Sequence, residues 1–227
     1  MWDSPEPNSR RFWRKNRGGT DKLILVRQSK IHYVEAGQGN PIILIPGSAG
    51  TYRVWNRLTP LMAGNYRLLA LDYQPADSTA KDQLRALQEH TDLIAQMVRQ
   101  LDIGKVHLIG AGSGGTVAFD LAARYPELVS KIVSILGYLT LLRAAGKNPP
   151  RSALLEDELK AIKAPILYLY GTRTNERLIS LKYNLELLHK SHPRAWIVSL
   201  NGGIFETALK NPAEVANLIL DFLKAKG

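Results

Sequence analysis

His107 to Phe119 reads "HLIGAGSGGTVAF", four glycines between an apolar run and a helix-forming one. Gly110-x-Gly112-x-x-Gly115 has the spacing of a loop that seats a dinucleotide pyrophosphate on a helix N-terminus. The same residues suit a sharp strand-to-helix turn that displays a nucleophile at its apex. The dinucleotide reading needs an acid about twenty residues on, at the end of the next strand, to hold the ribose. No Asp or Glu occurs between Glu127 and Glu156. The turn also arrives after roughly four predicted strands, whereas the fingerprint opens its domain. No dinucleotide and no other cofactor is expected.

Outward from this turn, strand and helix patterns alternate. "KLILV" and "IHYVEAG" read as short strands, and "PIILIPG" as a buried strand ending in Pro-Gly. "YRVWNRLTPLMAG" reads as one helical segment, followed by the strand "YRLLALDY". From Asp82 to Leu101, Leu84, Leu87, Leu93, Ile94, Met97, Val98 and Leu101 recur at mostly three- and four-residue spacing, which predicts a long amphipathic helix. "KVHLIG", "VSKIVSIL", "PILYLYG" and "AWIVSL" are further strands, with helices over "GTVAFDLAARYP" and "LISLKYNLELLHKS". A last helix opens at Asn211-Pro212-Ala213-Glu214, a capping-box variant with Asn211 as N-cap. The order predicts an α/β fold with about 7–8 mostly parallel strands and helices on both faces. Residues 1–20 are expected to form a basic extended arm, and 21–227 a single domain.

The formal charge of +10, with 45% hydrophobic and 22% charged residues, describes a basic globular protein. Part of the charge lies in Ser9–Gly19, where Arg10, Arg11, Arg14, Lys15 and Arg17 surround Phe12 and Trp13 without an acid. The arginine pair lacks the apolar stretch that an export signal requires, and Asp3 and Glu6 argue against a transit peptide. Such an arm would bind an acidic protein surface, an anionic membrane surface or RNA. The absence of cysteine excludes disulfides, thiolate metal sites and a cysteine nucleophile. His189-x-x-His192 lacks further ligands, so no metal is expected. The expected location is cytoplasmic, with a peripheral place at a membrane-bound complex as an extension.

"KVHLIGAGSGGTVAFDLAARYPELVSKIV" closely resembles the nucleophile elbow and following helix of the α/β-hydrolase superfamily. "IHYVEAGQGNPIILIPG", "YRLLALD", "APILYLYGTRT" and "NGGIFETALKNPAEVANLILDFL" resemble further segments of that family in the same order. The resemblance implies a Ser-His-acid triad, but the aligned positions carry other residues. The nucleophile falls on Gly112, the acid on Thr174 and the base on Ile204. The oxyanion loop has Pro46-Gly47 where the family has His-Gly, and the next loop has Pro75 and Asp77 where it has glycines. Glycine at the elbow would relieve a backbone strain commonly costing about 1–3 kcal/mol. A lid is expected to be reduced or absent, because the stretch from Gly137 to Ala164 has only 28 residues. Tyr138, Leu139, Leu141 and Leu142 would then be exposed at the open edge or pack over it.

Three readings follow. The first is a catalytically inactive accessory subunit of a larger assembly, docked through the N-terminal arm. The second is a small-molecule site in which the backbone N–H groups of Ser48 and Ser113 persist as oxyanion-type donors. The third is weak serine esterase or hydrolase activity through Ser113, which requires a base. His32, His90, His107, His189 and His192 all lie away from the loop from which the family's base descends.

Overall fold

Continuous apolar runs become buried strands, and runs with apolar residues on one helical face become the covering helices. The computed structural model describes residues 19–47, 50–72, 83–137, 139, 156–172, 178–202 and 211–225. The strands are β1 (Thr20–Val26), β2 (Ser29–Ala36), β3 (Asn40–Ile45), β4 (Tyr66–Asp72), β5 (Val106–Ala111), β6 (Val129–Ile135), β7 (Ile166–Gly171) and β8 (Trp196–Leu200). They form one eight-stranded sheet in the order β1-β2-β4-β3-β5-β6-β7-β8. β2 runs antiparallel to β1 and β4, and all other pairings are parallel. The α/β expectation therefore holds, with eight strands.

The described helices are α1 (Thr59–Met62), α2 (Gln83–Gln100), α3 (Ser113–Arg124), α4 (Glu156–Ala161), α5 (Leu178–Ser191) and α6 (Pro212–Lys224). One face of the sheet packs against α2, α3, α4 and α5, burying Phe119, Met97, Ile132 and Leu188. The other face carries α1, α6 and a 3-10 turn at Tyr52–Trp55, burying Trp55, Met62, Ile219 and Phe222. Lys131, on β6, closes the C-terminal end of α6. Its Nζ donates to the carbonyls of Phe222, Leu223 and Ala225 at 2.9, 3.1 and 2.5 Å. A cation there satisfies carbonyls that have no partner within the helix and complements the helix dipole.

Two local expectations are corrected. The single helix over "YRVWNRLTPLMAG" is instead the 3-10 turn and the short α1. Pro60 has no N–H for a helical bond to Asn56, while the Thr59 hydroxyl donates to the Trp55 carbonyl and ends the first turn. Asn211 stands at the start of α6, but its side chain makes no cap bond to the backbone and donates instead to Glu214 Oε2 at 2.8 Å. Of the two alternatives for Leu139, packing holds: it is fully buried, and its N–H donates to Asn184 Oδ1 on α5 at 3.3 Å. Tyr138, Leu141, Leu142 and the rest of the predicted lid region up to residue 155 lie outside the described residues.

No described helix is long and apolar enough to cross a membrane.

Candidate active site

Parallel strands place their C-terminal ends along one edge, where crossover turns expose backbone and side chains together. β5 ends there at Ala111, and α3 begins two residues later at Ser113. Between them Gly112 adopts φ 54 and ψ −122, outside the regions open to a residue with a Cβ at low cost. Its N–H donates to the Ile135 carbonyl at the end of β6, and its carbonyl accepts from the Gly115 N–H. The elbow read from the sequence is present, with Gly112 at its apex and Ser113 as the exposed first residue of α3.

The glycines after the apex serve close approach rather than turn geometry. A Cβ on Gly114 would lie 2.6 Å from the Pro46 carbonyl oxygen and 2.9 Å from the Ile45 carbonyl carbon. The start of α3 is thus pressed against the end of β3 and the loop that follows it. At Gly112, by contrast, a Cβ would have nothing within 4 Å. Space for a side chain exists at the apex, and the cost of adding one is backbone strain alone. Gly112→Ser is therefore expected to fold with a loss of about 1–3 kcal/mol in denaturant titration. A variant as stable as the parent would show that the apex backbone relaxes.

Behind the elbow a buried polar chain fixes the end of β6. The Ser134 hydroxyl accepts from the Gly137 N–H at 3.2 Å, and Tyr168 OH donates to the Gly137 carbonyl at 2.9 Å. Asn184, on α5, holds the next turn through Leu139 and reaches Tyr168 OH at 3.5 Å. These contacts leave little freedom in the strand that receives the Gly112 hydrogen bond.

His32 occupies an unanticipated setting. It pairs with Asp72, the last residue of β4, and its Nδ1 lies 3.1 Å from Asp72 Oδ2. Its Nε2 lies 3.2 Å from Asp21 Oδ1 on β1. Both ring nitrogens are engaged, and Tyr52 packs edge-on at 6.1 Å. Three inter-strand spacings, about 14 Å, separate β2 from β5, so His32 is out of hydrogen-bond reach of Ser113. His107 lies near the start of β5, buried beside Tyr66. Burial lowers His107 to about 4, helped by the neighbouring Lys131 charge, and burial lowers His90 on α2 to about 4. Both rings are neutral at physiological pH. His189 bonds the Leu185 carbonyl, and His192 the Ile162 carbonyl and Ser191, at the end of α5.

Ser48, Thr174, Ile204, Pro75 and Asp77 lie outside the described residues, as do Arg10, Arg11, Phe12, Trp13, Arg14, Lys15 and Arg17. Among the described residues no group of three or more His, Asp or Glu is arranged to hold a metal ion.

Residues 40–157 match the family model of the alpha/beta hydrolase fold. The chain belongs to this family. Among curated alpha/beta hydrolase relatives it is similar to 2-hydroxy-6-oxo-6-phenylhexa-2,4-dienoate hydrolase of Burkholderia cepacia. The two are 29% identical over 126 residues, covering 50% of this chain and 44% of the relative. It is also similar to (E)-2-((N-methylformamido)methylene)succinate hydrolase of Acinetobacter baylyi, 24% identical over 190 residues, 83% of this chain and 68% of the relative. The chain spans less than half the length of the first curated relatives it matches. Among solved structures it resembles a bacterial membrane phospholipase A, with a TM-score of 0.76 and 20% identity over 95% of this chain and 89% of that one. The carboxylesterase CesB of Bacillus subtilis gives a TM-score of 0.75 at 16% identity, over 97% of this chain and 96% of that one. These structural likenesses show the fold.

The expectation of an inactive accessory subunit is overturned, because the curated relatives are named as hydrolases.

Proposed function

We propose that the chain is a slow hydrolase of esters or similarly activated carbonyl compounds, with Ser113 supplying the attacking oxygen. The observation that carries this reading is the place of Ser113. It is solvent-exposed, it follows the apex of the elbow, and it opens α3 on the edge where the strands end. The positive end of the α3 dipole favours the negative charge that develops on oxygen at this point. The names of the curated relatives support the same reaction class.

In the proposed reaction the Ser113 oxygen adds to the carbonyl carbon and the alcohol leaves, taking up a proton. Water then cleaves the acyl-serine to the acid and restores the hydroxyl. The aligned triad positions hold Gly112, Thr174 and Ile204, so the serine proton passes to solvent rather than to a family histidine. Without a histidine base, turnover well below that of an intact triad is expected, and what there is depends on the Ser113 oxygen.

Hydrolysis of p-nitrophenyl acetate and butyrate tests the assignment. Ser113→Ala should fall at least about tenfold, to near background, and a fluorophosphonate probe should add its mass at Ser113 in the parent only. Equal rates in parent and variant would refute Ser113 as the nucleophile.

A further inference from the structure

β1 is an edge strand of the sheet. Side chains alternate along it. Ile24 and Val26 point into the core beneath α2, whereas Leu23 and Leu25 point to the opposite side. They are 63% and 56% exposed, more than any other large apolar side chain among the described residues. Across the hairpin Leu25 pairs with Lys30 and Leu23 with His32, so these four share one face. Lys30 is exposed, as is Arg27 in the turn, and neither makes an ion pair among the described residues.

The position of this patch matters. His32 pairs with the last residue of β4, so Ser29 to Ile31 and their partners Ile24 to Val26 overhang the end of the parallel strands. The hairpin tip therefore projects from the same edge as the elbow. Asp21 and Asp72 hold His32 between them. In sequence, the strand directly follows the segment with five Lys/Arg and the pair Phe12-Trp13.

We propose that this hairpin face is a docking surface for an anionic lipid bilayer. Two exposed leucines would enter the headgroup boundary while Arg27 and Lys30 sit against lipid phosphates. Two leucines are too small an apolar area for a stable dimer, which needs on the order of 800 Å² per partner. RNA would use the cations and leave the leucines without a role. Docking in this orientation turns the elbow toward the bilayer. The consequence, that ester substrates are lipid-borne, rests on the hydrolase reading above.

The test is co-sedimentation of the full chain with vesicles of phosphatidylcholine alone or mixed with phosphatidylglycerol, at low and high salt. The parent should bind the mixed vesicles at low salt and ignore neutral ones. Leu23→Thr with Leu25→Thr, which keeps strand propensity, should weaken partition about tenfold or more. Arg27→Ser with Lys30→Ser, at exposed turn and strand positions, should do the same and reduce the salt sensitivity. Parent-like binding by the leucine double variant would overturn the proposal. So would absence of vesicle binding, including a result in which the leucine variant only abolishes self-association in gel filtration or the chain binds only RNA. A chain that binds vesicles but cleaves neither soluble nor vesicle-borne esters leaves docking intact and removes the hydrolase reading. The reverse pattern removes docking alone.

Discussion

Gly114→Val is expected to leave little or no folded protein. A Cβ at this position would meet the Pro46 carbonyl oxygen at 2.6 Å and the Ile45 carbonyl carbon at 2.9 Å, and both are backbone. Backbone at the end of a central strand cannot swing aside as a side-chain tip can. Even Ala should cost about 3 kcal/mol or more, and the branched valine adds two further methyl groups to the same gap. Against a typical domain stability of about 5–15 kcal/mol, the valine variant should lose near-UV circular dichroism and soluble yield. Gly112→Ser, two residues earlier, is the internal control, because its Cβ has open space. A Gly114→Val protein with a parent-like melting curve would mean that β3 and α3 are not pressed together as described.

Acid should destabilise the fold steeply between pH 6.5 and about 4. His90 and His107 are buried and neutral, each lowered from 6.5 to about 4. His107 Nδ1 has no hydrogen-bond partner among the described residues, a tolerable state for an acceptor lone pair and a poor one for a charged N–H. The unfolded chain takes up protons near pH 6.5, whereas the folded chain resists until about 4. Stability is therefore fully present above 6.5 and is lost as pH falls through that window, by roughly 2–3 kcal/mol per ring. Urea midpoints measured from pH 7.5 to 4 read this directly. The double variant His90→Gln, His107→Gln should flatten the curve, even if it starts from a lower midpoint. An unchanged slope in that variant would assign the acid sensitivity elsewhere.

Most elements were legible because their signals are local. The repeated three- and four-residue spacing of Leu87, Leu93, Ile94, Met97 and Val98 identifies α2, and the observed helix runs from Gln83 to Gln100. The unbroken apolar runs at β3 and β5 identify central strands. Errors came where a side chain or proline redirected the backbone. Thr59 and Pro60 split a predicted helix, although the proline was a visible warning. Asn211 was correctly placed at the start of α6, but its preference for the Glu214 carboxylate depends on rotamers that spacing does not specify. The site was legible at its apex and illegible around it. Asp21, His32 and Asp72 lie 11 and 40 residues apart in pairs, and only the β1-β2-β4 order brings them together. Lys131 meets the end of α6 across 91 residues in the same way.

The sequence alone determined the hydrolase fold and the glycine at the elbow's apex. Both are consequences of short-range physics: side-chain periodicity, and a positive φ that glycine accepts at little cost. Only the tertiary structure decided that both nitrogens of His32 are taken by carboxylates and that Gly114 has no room for a methyl group. It alone left Leu23 and Leu25 uncovered on the edge that carries the elbow. Each of these depends on which strand lies next to which and where a covering helix stops, and residues distant in the chain settle that jointly.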